Sequence, residues 1–180
     1  MNSNDRILSP FTLPNGTVLK NRLLMAPMTT CTGFYDGSVT SELVEYYRER
    51  AGSIGTVIVE CCFIDDRGLA FPGAIGIDND NKVAGLAKIA DAIKAKGSKA
   101  VLQIYHGGRM VEPKLIGGRM PVGPSAVAAP RDGAATPVEL SAQDVEDMVT
   151  KFGEGVRRAI QAGFDGVEIH GANTYLIQQF

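Results

Sequence analysis

Apolar positions change period several times along the chain, and each change marks an element. Leu23-Leu24-Met25-Ala26 is a continuous apolar run stopped by Pro27, the pattern of a strand buried on both faces. Thr56-Val57-Ile58-Val59-Glu60, Ala100-Val101-Leu102-Gln103-Ile104-Tyr105 and Phe164-Asp165-Gly166-Val167-Glu168-Ile169 predict three more strands, the last closed by His170. Between them the period lengthens to that of a helix. Leu43, Val44, Tyr46 and Tyr47 follow a cap at Thr40 or Ser41 and end near Gly52. Val83, Leu86, Ala87, Ala90 and Ile93 follow a start at Asp78 or Asp80, with lysines in the last turn and Gly97 as the stop. Val145, Met148, Val149, Phe152, Val156, Ala159 and Ile160 form one stripe behind Ser141, with Asp144 in the first turn. Ahead of the first strand, two short apolar arms, Phe11 to Leu19, flank Asn15-Gly16 and predict a hairpin outside the main core.

Strands that are apolar throughout and alternate with helices predict parallel βα units. Two architectures fit, a doubly wound sheet and a (β/α)₈ barrel. A doubly wound nucleotide binder carries a G-x-G-x-x-G turn after its first strand, whereas this turn is Pro27-Met28-Thr29-Thr30, which favours the barrel. Such a barrel needs eight units and about 250 residues. A 180-residue chain with a fourth strand near its end therefore reads, over residues 1–180, as the N-terminal half of one, with the C-terminal half absent.

Composition narrows the partners. With 18 Lys+Arg against 20 Asp+Glu the net charge is −2, which offers no basic face to a nucleic acid backbone. No apolar run is long enough to span a membrane, and the opening Met1-Asn2-Ser3-Asn4-Asp5-Arg6 lacks the pattern of a secretory leader, so a cytosolic protein is expected. The cysteines Cys31, Cys61 and Cys62 are odd in number, two are adjacent, and none has metal-ligand spacing; reduced thiols are expected.

In a barrel the chemistry gathers where the strands end. The first strand delivers Pro27, Met28 and Thr29; the second Glu60, Cys61 and Cys62; the third Gln103, Tyr105, His106 and Arg109; the fourth His170, Asn173 and Tyr175. Both histidines of the chain lie on this rim. Thr29 reads equally as a turn cap, Cys61 and Cys62 as small packing residues, and His106 and Arg109 as anchors for the Gly/Pro-rich excursion that runs to about Pro137. Gln103 shares a strand face with Val101, so its amide points to a buried surface and must find partners there. The imidazole, amide and phenol of His170, Asn173 and Tyr175 favour a functional reading.

The stretches Asn21–Thr29, Gln103–Arg109, Pro124-Ser125-Ala126 and Ala162–Asn173, continued by Tyr175 to Phe180, resemble in order the old yellow enzyme family of NAD(P)H:flavin oxidoreductases. The resemblance implies a (β/α)₈ barrel with FMN at its mouth. Thr29 would donate to the flavin C4 carbonyl and Gln103 would pair with the pyrimidine edge. Pro27, Met28 and Cys61 would line the ring, and His170 would border it. His170 and Asn173 would grip a substrate oxygen, with Tyr105 and Arg109 also in the substrate pocket and Tyr175 as general acid. NADH or NADPH would supply hydride, and the substrate would be a small molecule with an activated C=C bond (an enone or dienoyl thioester) or a nitro group.

Three departures stand out from the family pattern. Thr174 replaces the usual glycine in a turn that favours positive φ, Cys61-Cys62 replaces a small Gly or Ala, and the family's phosphate-binding loops after the late strands have no counterpart here. Two rivals remain. One is another FMN barrel, such as a dihydrouridine synthase, which the net charge disfavours. The other is a non-catalytic half-barrel that pairs its open strand edges with another chain; such edges and uncovered apolar faces also predict a homo-oligomer.

Overall fold

The computed structural model describes residues 3–180; Met1 and Asn2, within the opening read above for a leader, lie outside them. A short helix α1 (Ser3–Leu8) leads into a hairpin of β1 (Phe11–Thr12) and β2 (Val18–Leu19). The turn follows from Asn15-Gly16: the Thr17 amide donates to Asn15 Oδ1 at 3.0 Å, and Gly16 takes a φ of +85°.

Four parallel strands carry the fold: β3 (Leu24–Met25), β4 (Thr56–Phe63) and β5 (Lys99–Tyr105), with a fourth, Gly166–Ile169, paired to β5. Helix α2 (Ser41–Arg50) joins β3 to β4, and α3 (Val83–Lys94) joins β4 to β5. The excursion after β5 holds two 3₁₀ turns and a parallel pair, β6 (Val122–Gly123) with β7 (Val138–Glu139). Helix α4 (Ala142–Gln161) then returns the chain to β8 (Gly166–Ile169). The spatial order β3-β4-β5-β8 is the chain order, as in one half of a (β/α)₈ barrel. No helix among the described residues is long and apolar enough to cross a membrane.

The caps behave as their chemistry demands. Thr40 Oγ1 accepts from the Leu43 amide at 3.2 Å, and Ser141 and Asp144 close a reciprocal capping box. The second helix differs from expectation: neither Asp78 nor Asp80 caps it. Asn79 caps a 3₁₀ turn, Asp80–Lys82, that runs into α3, while Asp78 is instead paired with the buried Lys82.

One core lies between the sheet and the helices. Val57, Val59, Cys62, Leu102 and Ile104 meet Leu43, Tyr47, Leu86, Ile89 and Ile93. Two expectations about burial are corrected. Leu24 is 55% exposed while Met25 beside it is buried, because Leu24 points to the face opposite the helices and Met25 into the core with them. Val149 and Ile160 of the α4 stripe are 67% and 66% exposed, because among the described residues α4 packs substantially against no helix but α3.

Candidate active site at the strand ends

A bulge creates the site's inner wall. Along β4 the register to β5 advances from Val59↔Leu102 to Cys62↔Ile104, one extra residue on the β4 side. Val57, Val59 and Cys62 consequently face the helices, while Cys61 and Phe63 join Tyr105 and Tyr175 in a second cluster on the opposite face. The extra residue also sends Glu60 outward to α2. Its fully buried carboxylate accepts from the Thr30 amide (3.1 Å), the Thr30 hydroxyl (3.0 Å) and the Tyr47 phenol (3.0 Å). Burial raises the Glu60 pKa against the pull of these donors. The clamp holds the turn that carries Thr29, whose hydroxyl lies 3.3 Å from Cys61 Sγ. Burial pushes the Cys61 thiol up to about 11, so it stays protonated at neutral pH, and all three cysteines are free.

From β5, Tyr105 is fully buried and its hydroxyl accepts from the Ala70 amide at 3.1 Å. Gln103 lies two residues earlier on the same face and donates from Nε2 to Glu168 Oε1 at 2.7 Å. His106 is buried, with Nδ1 accepting from the Gly108 amide at 3.0 Å; burial pulls its pKa down to about 4, partly offset by Asp65.

The turn after β8 brings the remaining groups. His170 Nδ1 accepts from the Ala172 amide at 3.2 Å, so the neutral ring carries its proton on Nε2. Burial lowers the His170 pKa, with Glu168 pulling the other way. The Tyr175 ring packs edge-on against His170 (centroids 4.9 Å apart) and Phe71 (6.3 Å), and tilted against Tyr105 (5.3 Å). Burial moves its phenol up to about 12, which keeps it protonated. Asn173 and Thr174 both adopt left-handed backbone, φ +55° and +60°, as the substitution of Thr174 for glycine implied. Gln178 and Gln179 hold that strained turn, through Thr174 N to Gln178 Oε1 (2.6 Å) and Gln179 Nε2 to Thr174 O (2.7 Å).

The structure thus gathers Thr29 with Cys61, and Cys61 with Tyr105, Tyr175 and His170. Pro27 is half-buried and Met28 exposed beside this group, and the Asn173 side chain stands exposed on the rim. Arg109 is not drawn in: its backbone amide bonds Gln179 at 3.1 Å, and its guanidinium lies along the excursion, 3.4 Å from the Val127 carbonyl. Sequence reasoning missed Glu60, Glu168 and Gln179 as organisers. For Glu168 the signal was available, a carboxylate inside an otherwise apolar strand; for Gln179 there was none.

The donor set fits a flat, polar-edged ring such as a flavin. Thr29 offers a hydroxyl after β3, Gln103 an amide oriented by Glu168 within β5, and His170 an imidazole N–H after β8, each from a strand of the same parallel sheet.

The profile of the NADH:flavin oxidoreductase / NADH oxidase family matches residues 6–180. The chain is 82% identical over 180 residues, all of its length, to a NADH:fumarate oxidoreductase of Klebsiella pneumoniae (strain 342), and covers 20% of that protein. It is 57% identical over 175 residues, 97% of its length, to a NADH:acrylate oxidoreductase of Vibrio harveyi, covering 17% of it. Among solved structures, the old yellow enzyme homologue from Zymomonas mobilis superposes with a TM-score of 0.86 at 33% identity, over 94% of this chain and 49% of that one. The chain therefore spans about a fifth of the length of these curated relatives and half of that solved structure.

Proposed function

Because the chain belongs to the NADH:flavin oxidoreductase / NADH oxidase family, we propose that residues 1–180 form the N-terminal half of an FMN-binding barrel that oxidises NADH and reduces an activated alkene. What supports this reading is that Thr29, His170 and Tyr175 follow strands of one parallel sheet and Gln103 lies in its strand β5, with Thr29 beside Cys61, Gln103 oriented by Glu168, His170 by the Ala172 amide, and Tyr175 held by packing. Bound FMN would supply the two-electron carrier between nicotinamide and alkene.

The chain's own groups then have separable tasks. Thr29 and Gln103 hold the ring, with the protonated Cys61 thiol beside the Thr29 hydroxyl. His170, fixed as the Nε2–H tautomer, donates to the substrate oxygen that gains negative charge when hydride reaches the β-carbon, and Asn173 supplies a second donor from the rim. Tyr175, protonated and packed against His170, delivers a proton to the α-carbon. Fumarate and acrylate, in the relatives' names, are alkenes conjugated to a carboxylate, and this charge pattern suits them.

A second reading is favoured by the relatives' length. Those two names share NADH and differ in the acceptor, while this chain covers only 17–20% of each protein. The segment would then serve NADH oxidation alone, with electrons passing to an acceptor site elsewhere.

Rapid-mixing kinetics of the two half-reactions separates them. In the flavin-loaded protein, Tyr175→Phe is expected to leave reduction by NADH unchanged and to slow reoxidation by fumarate or acrylate roughly a hundredfold. His170→Ala should cost a similar factor in the same step. Unchanged alkene rates in both variants, with NADH oxidation intact, would establish the second reading; loss of flavin reduction by NADH in Tyr175→Phe would sink the acid role.

A further inference from the structure

The hydrogen bond between Gln103 and Glu168 carries more information than its length. The two residues are register partners on neighbouring parallel strands, β5 and β8, and their side chains meet on the face that a closed barrel would enclose. A carboxylate has no donor, so the amide end that faces Glu168 must be nitrogen, and the amide carbonyl is turned away. Gln103 is 8% exposed, and its side chain makes no other hydrogen bond among the described residues. The Gln103 carbonyl has no protein partner among the described residues and is not sealed off from solvent, so it is open to a ligand on this face. The complement is a ligand edge with an N–H donor flanked by carbonyl acceptors.

Resting on the flavin reading above, we propose that Glu168 is a positioning residue that locks the Gln103 amide so that its carbonyl and free N–H meet the imide edge of the ring. Two consequences follow from the chemistry of a carboxylate there. The acceptor fixes the amide and so sets affinity for the ring in both oxidation states. Its negative charge, transmitted across one hydrogen bond, disfavours build-up of negative charge at that edge and so weakens the reduced form relative to the oxidised one. A purely structural Glu168, satisfying a buried amide, would do neither.

The test is a double-mutant cycle on the flavin-loaded protein, reading FMN dissociation and the midpoint potential, with circular dichroism to confirm folding. Gln103→Ala and Glu168→Ala are each expected to weaken FMN about tenfold, and the double variant no further than the weaker single, because they remove one coupled unit. Glu168→Gln keeps an acceptor and is expected to bind FMN within about threefold of wild type. Removal of its charge should favour the reduced ring about tenfold, which is about 30 mV for a two-electron couple. Losses that add in the double variant, or a folded Glu168→Gln protein with wild-type potential, overturn the proposal. A Gln103→Ala protein that binds FMN as wild type overturns the flavin role of Gln103 beneath it, a different failure from a Gln103 effect that Glu168 does not share.

Discussion

Helices α3 and α4 have comparable apolar stripes and opposite fates. In α3, Val83, Leu86, Ile89, Ala90, Ala92 and Ile93 are all buried, because the helix sits on β5 with α2 on one side and α4 on the other. In the longer α4 only Met148, Gly155 and Ala159 are buried; Val149 and Ile160 face solvent, and Ile169 of β8 beneath it is 49% exposed. An apolar groove between α4, β8 and the final turn is lined by Val145, Met148, Phe152, Leu176, Ile177 and Phe180. The sequence pattern specifies which face of a helix wants burial; the neighbours decide whether it is buried. The site lies on the better-covered side of this divide at Cys61 and Tyr105, and on the thinner side at Asn173 and Thr174.

The largest expected effect tests the completeness of the α3 side. Leu86→Ala should destabilise the chain by about 2–5 kcal/mol, since it removes a fully buried side chain from a packed core. Urea unfolding checks it, and a loss below 1 kcal/mol would place α3 with α4.

The second asks whether burial persists between the two regions, where His106 lies under the excursion near Asp65 and Lys151. Its folded pKa of about 4 lies below the ordinary value of 6.5, so the unfolded chain takes up the proton first as pH falls. Stability from the neutral ring is therefore complete above about pH 6.5 and drains away toward pH 4, by on the order of 3 kcal/mol. Asp65, whose carboxyl the Lys151 ammonium and the Arg67 amide hold below its usual range against the opposing effect of burial, adds its own loss only below that window, as pH falls past the ordinary carboxylate value. His106→Gln should flatten the slope between pH 6.5 and 5, and an unchanged slope would show that His106 is not the group responsible.

The smallest effect sharpens the α4 side. Val149→Ser with Ile160→Ser should change the stability of the 180-residue chain by no more than about 0.5 kcal/mol per site, because both are already exposed. The same pair should reduce its self-association in sedimentation, since it removes apolar surface that a second copy could cover. A loss of several kcal/mol would mean that this face is covered in solution.

The site itself was partly legible. Thr29, His170 and Tyr175 could be named because they follow apolar runs, and strand ends are where a barrel collects its chemistry, while Gln103 stood out as an amide inside such a run and took its role from the family resemblance. Arg109 was expected in the substrate pocket, whereas its guanidinium lies along the excursion at the Val127 carbonyl, because its direction depends on the path of a long segment with no hydrophobic period. Glu60 looked like the end of a strand and proved to be a buried clamp on the Thr29 turn; its role needs Tyr47 and Thr30, which come from two other elements.

What the sequence determined by itself is local. Period gave the strands and helices, Thr40 or Ser41 and Ser141 gave two helix starts, and Asn15-Gly16 gave the hairpin, because each depends on residues within one or two turns of one another; the alternation of such runs pointed to a parallel sheet. Tertiary structure alone decided the bulge at Glu60–Cys61, the turning of Cys61 toward Tyr105 and Tyr175, and the pairing of Gln103 with Glu168, 65 residues away. Those arrangements depend on register between strands, and a shift of one residue, invisible in the pattern of any single strand, exchanges the two faces of the sheet.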